Sequence, residues 1–128
     1  MKLLVILISV VALVATMKAA QLTEENAKFL GQYDKVRQAL VTDDLGGAKK
    51  AAGELGPQGA QLANSKTLAE ARSAFEKLSA DAEKIAGSQP GYYVMHCPML
   101  KKDWVQTDTK VGNPYGGKEM VSCGEPKK

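Results

Sequence analysis

Histidine occurs once and cysteine twice in the 128 residues of this chain, and the two cysteines, Cys97 and Cys123, do not make a Cys-x-x-Cys pair. A thioredoxin-type redox motif and a zinc knuckle both need that spacing, so neither is expected. Also missing are His-Glu-x-x-His, Gly-x-Ser-x-Gly and a glycine-rich phosphate loop following a strand, which removes three common catalytic templates. His96 directly precedes Cys97, but neighbours on a strand face apart and cannot pass a proton between them. The adjacent carboxylates of Asp43 and Asp44 are explained by helix capping. The chain is therefore read as a non-enzyme. Internal repeats and low-complexity tracts are absent as well.

A large excess of one charge is missing too. The 17 basic and 14 acidic residues leave a formal net charge of +3. Part of that excess belongs to the first 20 residues, where Met1-Lys2 precedes an apolar run from Leu3 to Val14 broken only by Ser9. This pattern reads as a secretory signal peptide. Lys18 and the polar stretch from Gln21 end the run short of the roughly 18–20 residues that a spanning helix requires. Processing near Ala15 or near Ala20 is open, and with no cysteine there a lipoprotein anchor is not expected. Cleavage after Ala20 removes Lys2 and Lys18 and leaves 108 residues, with 15 basic against 14 acidic side chains. Such a balance argues against a nucleic-acid binder. It fits one domain, residues 21–128, that is periplasmic or secreted and has no stable membrane insertion after cleavage.

The fold class expected is mainly α: an antiparallel hairpin or bundle of about three helices over 22–87, with a small irregular β cap over 91–124. Phe29, Tyr33, Val36 and Leu40 recur at helical spacing in the first helix. Thr42-Asp43-Asp44 supplies N-cap chemistry for a second helix carrying Leu45, Ala48, Ala51, Ala52 and Leu55, which Gly56-Pro57 should stop or kink. Residues 58–63 read equally as a helical restart or as irregular chain. Leu68, Ala71, Phe75, Leu78, Ala82 and Ile85 give a third helix, with Thr67 and Glu70 as a capping box and Gly87 at its end. Beyond Gly91, Tyr92 to Val94 and Trp104-Val105 favour short strands, and Asn113-Pro114 and Gly116-Gly117 mark turns.

The scarce soft donors are concentrated in this last third. Both cysteines, His96 and three of the five methionines lie in two segments, 92–99 and 113–124. Cys97-Pro98-Met99 places two sulfurs at i and i+2, on one side of extended backbone. Met120 and Cys123, three apart, can meet on a helical turn or tight loop. Thiolate, thioether and imidazole select copper(I), zinc and similar ions, so Cys97, Met99, Met120 and Cys123 are candidate ligands, with His96 an additional one only if the strand twists locally. Met95 is assigned to core packing. The competing reading is a Cys97–Cys123 disulfide, usual for an even cysteine count in an exported protein, closing a loop of about 26 residues and contributing about 3 kcal/mol. The residues alone support the two readings equally.

Several of these residues carry a family resemblance. In the helical part they are Tyr33 with Ala39-Leu40, Asp43-Asp44-Leu45 with Ala48, and Arg72 with Phe75 and Ser79. In the last third they are Tyr93, Cys97-Pro98-Met99, Trp104, Asn113-Pro114-Tyr115, Gly117, Met120 and Cys123-Gly124. Over nearly all of residues 21–128 the chain resembles a bacterial domain-of-unknown-function family. That family comprises small exported periplasmic proteins and extra domains on periplasmic adaptor subunits of RND-type heavy-metal (copper/silver) efflux systems. The resemblance implies copper and heavy-metal handling outside the cytoplasm, with Cys97, Met99, Met120 and Cys123 as metal residues. A fixed histidine at position 96 is not part of the pattern. With no adaptor region around it, the chain would act as a diffusing copper(I) chaperone or buffer, its partners a heavy-metal efflux component or another copper protein. The alternative is a disulfide-stapled structural or interaction module with no metal role.

Overall fold

The computed structural model describes residues 21–127, so the expected signal peptide, residues 1–20, lies outside the described residues. Helix α1, Glu24–Val41, starts where Thr23 Oγ1 accepts the Asn26 amide at 3.1 Å. Glu24 and Glu25 in its first turn sit favourably at the positive end of the helix dipole. Its inward face is the expected Phe29, Tyr33, Val36 and Leu40, widened by Leu30 and Arg37. The chain reverses through Asp43, which takes φ 58°, and Asp44 Oδ1 caps α2, Leu45–Gly53, by accepting the Gly47 amide at 2.9 Å. Ala48 and Ala52 are fully buried, and such small side chains let neighbouring helices approach closely.

Gly56-Pro57 does stop α2, but the chain then makes a 3-10 turn, Gly56–Gly59, and restarts as a one-turn helix α3, Ala60–Ala63. Among the described residues there are thus four helices rather than about three. The extra turn exists to bury Leu62, which is 1 % exposed. Four residues are too few to show a period, so nothing in the local pattern could announce it. Helix α4, Leu68–Ala86, comes next. Thr67 Oγ1 accepts the Glu70 amide at 3.1 Å, as expected. The carboxylate of Glu70 reaches back one residue further than a capping box requires, to the Lys66 amide at 2.7 Å. Its buried face adds Ala74, Ser79 and Ala86 to the expected set, while Leu68 and Ile85 pack only partly buried at its margin.

The cap is a three-stranded antiparallel sheet in the order β2-β1-β3, formed by β1 Tyr93–Cys97, β2 Lys102–Gln106 and β3 Glu125–Pro126. Register pairs Met95 with Trp104 and His96 with Asp103 on one side, and His96 with Glu125 on the other. Strand β2 packs on α4. An aromatic file joins the helices to the sheet: Tyr33 stacks on Phe75 with centroids 4.8 Å apart, Phe75 meets Tyr115 at 5.7 Å, and Tyr115 meets Trp104 at 6.4 Å.

A buried polar chain runs beside that file. The Val105 amide donates to Tyr33 Oη at 3.0 Å, Tyr33 Oη lies 2.8 Å from Ser79 Oγ, Ser79 Oγ lies 2.9 Å from Tyr115 Oη, and Tyr115 Oη lies 3.1 Å from the Asp103 carbonyl. A carbonyl only accepts and each hydroxyl has one proton. All four contacts are satisfied together only if Tyr33 donates to Ser79, Ser79 to Tyr115, and Tyr115 to Asp103. The chain therefore leaves β2 at one residue, crosses α1, α4 and the 113–117 segment, and returns to β2 two residues away. Burial pushes the pKa of both phenols above their ordinary range, which keeps them neutral donors.

Two arginines fix the last segment to the helices. Arg72 donates Nε to the Pro114 carbonyl at 2.9 Å and Nη2 to the Leu40 carbonyl at 2.9 Å and to Asp43 Oδ1 at 2.6 Å. Arg37 donates Nη1 to the Gly112 carbonyl at 3.1 Å and Nε to Asp34 at 2.7 Å. The guanidinium of Arg72 hydrogen-bonded to Asp43 holds that carboxyl below its usual range.

Candidate functional site

Alternation along β1 turns Met95 and Cys97 inward, at 3 % and 0 % exposure, and leaves Val94 and His96 on the other face. Met95 is thus in the core. Strand β1 ends at Cys97, and it leads into a turn in which the Lys101 amide donates to the Cys97 carbonyl at 2.8 Å and the Leu100 amide to Cys97 Sγ at 3.4 Å. The same-side argument for Cys97 and Met99 fails here, because Met99 lies in that turn and not on extended backbone. Met99 is 76 % exposed.

The second half of the site is built on a 3-10 turn, Lys118–Met120. The Met120 amide donates to the Gly117 carbonyl at 3.1 Å, and the Cys123 amide to the Met120 carbonyl at 3.0 Å, so the three-residue spacing does close into a tight loop. Gly117, at φ 70° with Asp43 Oδ1 3.1 Å from where a Cβ would stand, starts it. Buried Asn113 holds the loop from within. Its amide donates to the Val121 carbonyl at 2.9 Å, its Nδ2 to the Cys123 carbonyl at 2.9 Å, and its Oδ1 accepts the Tyr115 amide at 2.8 Å. Gly124 then passes where a Cβ would stand 2.6 Å from Trp104 Cη2 and 2.8 Å from Val111 Cγ1.

The two halves meet as a Cys97–Cys123 disulfide with Cα atoms 5.4 Å apart, and no cysteine is free among the described residues. Cys123 is partly exposed. Together with Met99 and Met120 it lines an open depression of about 460 Å³, whose ionisable side chains are Glu119 and Glu125. Three of the four candidate residues therefore line one concavity, and the fourth, buried Cys97, is bonded to one of them. Met120 is half in that wall and half in the core packing.

His96 is elsewhere. Its Nδ1 is 2.6 Å from Asp103 Oδ1, the cross-strand partner, and its ring lines a different depression with Glu125, Pro126 and Lys127. No local twist carries it toward the sulfurs, since β1 is regular up to Cys97. Asp103 Oδ2 accepts Lys127 Nζ at 2.8 Å, and Lys127 also reaches Glu83 at 3.1 Å. Partial burial raises the Asp103 pKa, but hydrogen bonds from Lys127 and His96 outweigh it, and the net direction is down. Lys127 is raised by its hydrogen bonds to Asp103 and Glu83.

Among the described residues no group of three or more His, Cys, Asp or Glu side chains is placed to hold a metal ion. None of their helices is long and apolar enough to cross a membrane. No family model, curated protein or solved structure matches the chain. Sequence reasoning missed the Leu100 amide, the Asn113 clamp and the acidic wall. Asn113 was legible as a turn residue and as part of the family resemblance but not as a buried clamp, because its burial depends on contacts eight and ten residues away.

Proposed function

We propose that this protein binds copper(I) outside the cytoplasm as a chaperone or buffer, in its dithiol form, through the Cys97 and Cys123 thiolates with Met99 and Met120 thioethers. The single observation that carries the reading is that Met99, Met120 and Cys123, from two segments about twenty residues apart, line one open depression while Cys97 is bonded to Cys123. Soft sulfur donors of this kind favour copper(I) over hard cations. The copper is cargo, and an open, partly exposed donor set suits ligand exchange with a heavy-metal efflux component or another copper protein. Thiolate ligands must lose protons, so uptake weakens as pH falls. The family resemblance supports the same reading. His96, engaged with Asp103 and away from the sulfurs, is left out of the ligand set.

The bridge itself favours the second reading, a disulfide-stapled structural or interaction module, since a cystine offers no thiolate. Thiol counting followed by native mass spectrometry with copper(I) separates the two. One copper bound per reduced chain, with loss of both titratable thiols, supports the metal reading, and no uptake by either redox form overturns it.

A further inference from the structure

The two cysteines of the bridge are not equivalent. Cys97 is fully buried at the inward end of β1, whereas Cys123 is partly exposed and lines the open depression. A second difference lies in hydrogen bonding. The Leu100 amide points at Cys97 Sγ from 3.4 Å, and such a bond strengthens as its acceptor gains negative charge. In thiol–disulfide exchange the incoming thiolate attacks one sulfur while the other leaves, so the rate rises with access to the first and with stabilisation of the second. Both differences favour the same direction.

We propose that Cys123 Sγ is the entry point for an external thiol of neutral or cationic type, with Cys97 as the leaving thiolate received by the Leu100 amide. The thiolate RS⁻ forms a bond to Cys123 Sγ while the Cys97–Cys123 bond breaks and its electron pair goes to Cys97. When the external reagent is a dithiol, its second thiolate attacks the reagent sulfur of the mixed disulfide and expels Cys123. The bridge has then gained two electrons and two protons, and the dithiol has become a disulfide. Glu119 and Glu125 line the approach, so an anionic thiol is repelled there. The exchange deepens the copper reading, on which it rests for its purpose though not for its chemistry, by giving the route to the dithiol form.

The test uses 2-mercaptoethanol on the folded, bridged chain, with acid quench, N-ethylmaleimide labelling after unfolding, and peptide mass mapping. The expected product carries mercaptoethanol on Cys123 and maleimide on Cys97, in at least about tenfold excess over the reverse. The same reaction on the chain unfolded in guanidinium should bring the two adducts near parity. Equal or reversed adducts in the folded chain, or no adduct until it unfolds, overturn the proposal. Corrected for thiolate fraction, cysteamine should outpace 3-mercaptopropionate, and the gap should shrink in the E119Q/E125Q double variant. Equal rates for the two thiols overturn the stated preference for charge. Copper(I) uptake by the reduced chain is scored separately: a Cys123 adduct without uptake sinks only the metal reading, and uptake with a Cys97 adduct sinks only this one.

Discussion

Tyr33 shows how one hydroxyl can matter more than its ring neighbours suggest. It receives the Val105 amide and passes its own proton to Ser79 inside the core, so Tyr33→Phe keeps the stacking on Phe75 but strands a buried amide. The expected cost is about 1–3 kcal/mol in denaturant unfolding. Ser79→Ala, which removes the middle of the chain, should cost less than additively in the double variant, because the two act through one network. Asp103 gives a pH prediction. Its folded-state pKa is lowered, so its contribution is full above the ordinary carboxylate value of about 3.9 and is lost as pH falls below that toward the folded value. Lys127 is raised, so its share is present below about 10.4 and is lost as pH climbs through the folded value. Thermal melts of Asp103→Asn should therefore show a flatter acid limb than the parent. An unchanged limb would remove Asp103 from the acid transition.

At the scale of elements, α1 and α4 were legible because apolar residues repeat along them, and α4 also because Thr67 caps it, whereas the Thr23 cap of α1 emerges only in the structure. The features that stayed hidden on the same helices were polar. Ser79 and Arg37 occupy buried positions, and their partners lie 46 and 75 residues away, beyond any local pattern. The alternation of β1 correctly separates His96 from Cys97, whereas the turn at 98–101 invalidates the same reasoning for Met99. The cysteines and methionines were legible as a cluster, but a bridge and a thiolate pair need nearly the same backbone approach, so spacing could not choose between them. Reducing the bridge should lower stability by about 3 kcal/mol through the unfolded chain, read as a shift in denaturation midpoint with dithiothreitol. Gly124→Val tests the last loop differently. Its side chain would collide with Trp104 and Val111, so the expected result is a lower melting temperature with loss of the Trp104 near-ultraviolet signal, in the bridged as in the reduced form.

Across the whole molecule, the last segment is tied to β1 by the bridge and to the helices and the sheet by polar clamps. Arg72 and Arg37 grip the carbonyls of Pro114 and Gly112, Asn113 grips that of Cys123, and β3 pairs with β1 just after Gly124. Replacing Arg72 by Met should therefore loosen amide exchange protection across 113–123 by about tenfold or more even with the bridge intact. If only the first turn of α4 responds, the clamp role is refuted.

Those clamps also govern the two thiols once the bridge opens. Arg37 and Arg72 hold residues 112 and 114, and pairing with β1 holds 125, so the freed cysteine is confined within a span of about a dozen residues rather than the 26 that separate it from Cys97. Its effective concentration at Cys97 stays high, on the order of millimolar or above. The two thiols therefore behave as a single chelating unit, one that a monothiol competitor in solution would have to match in concentration before it could displace either half.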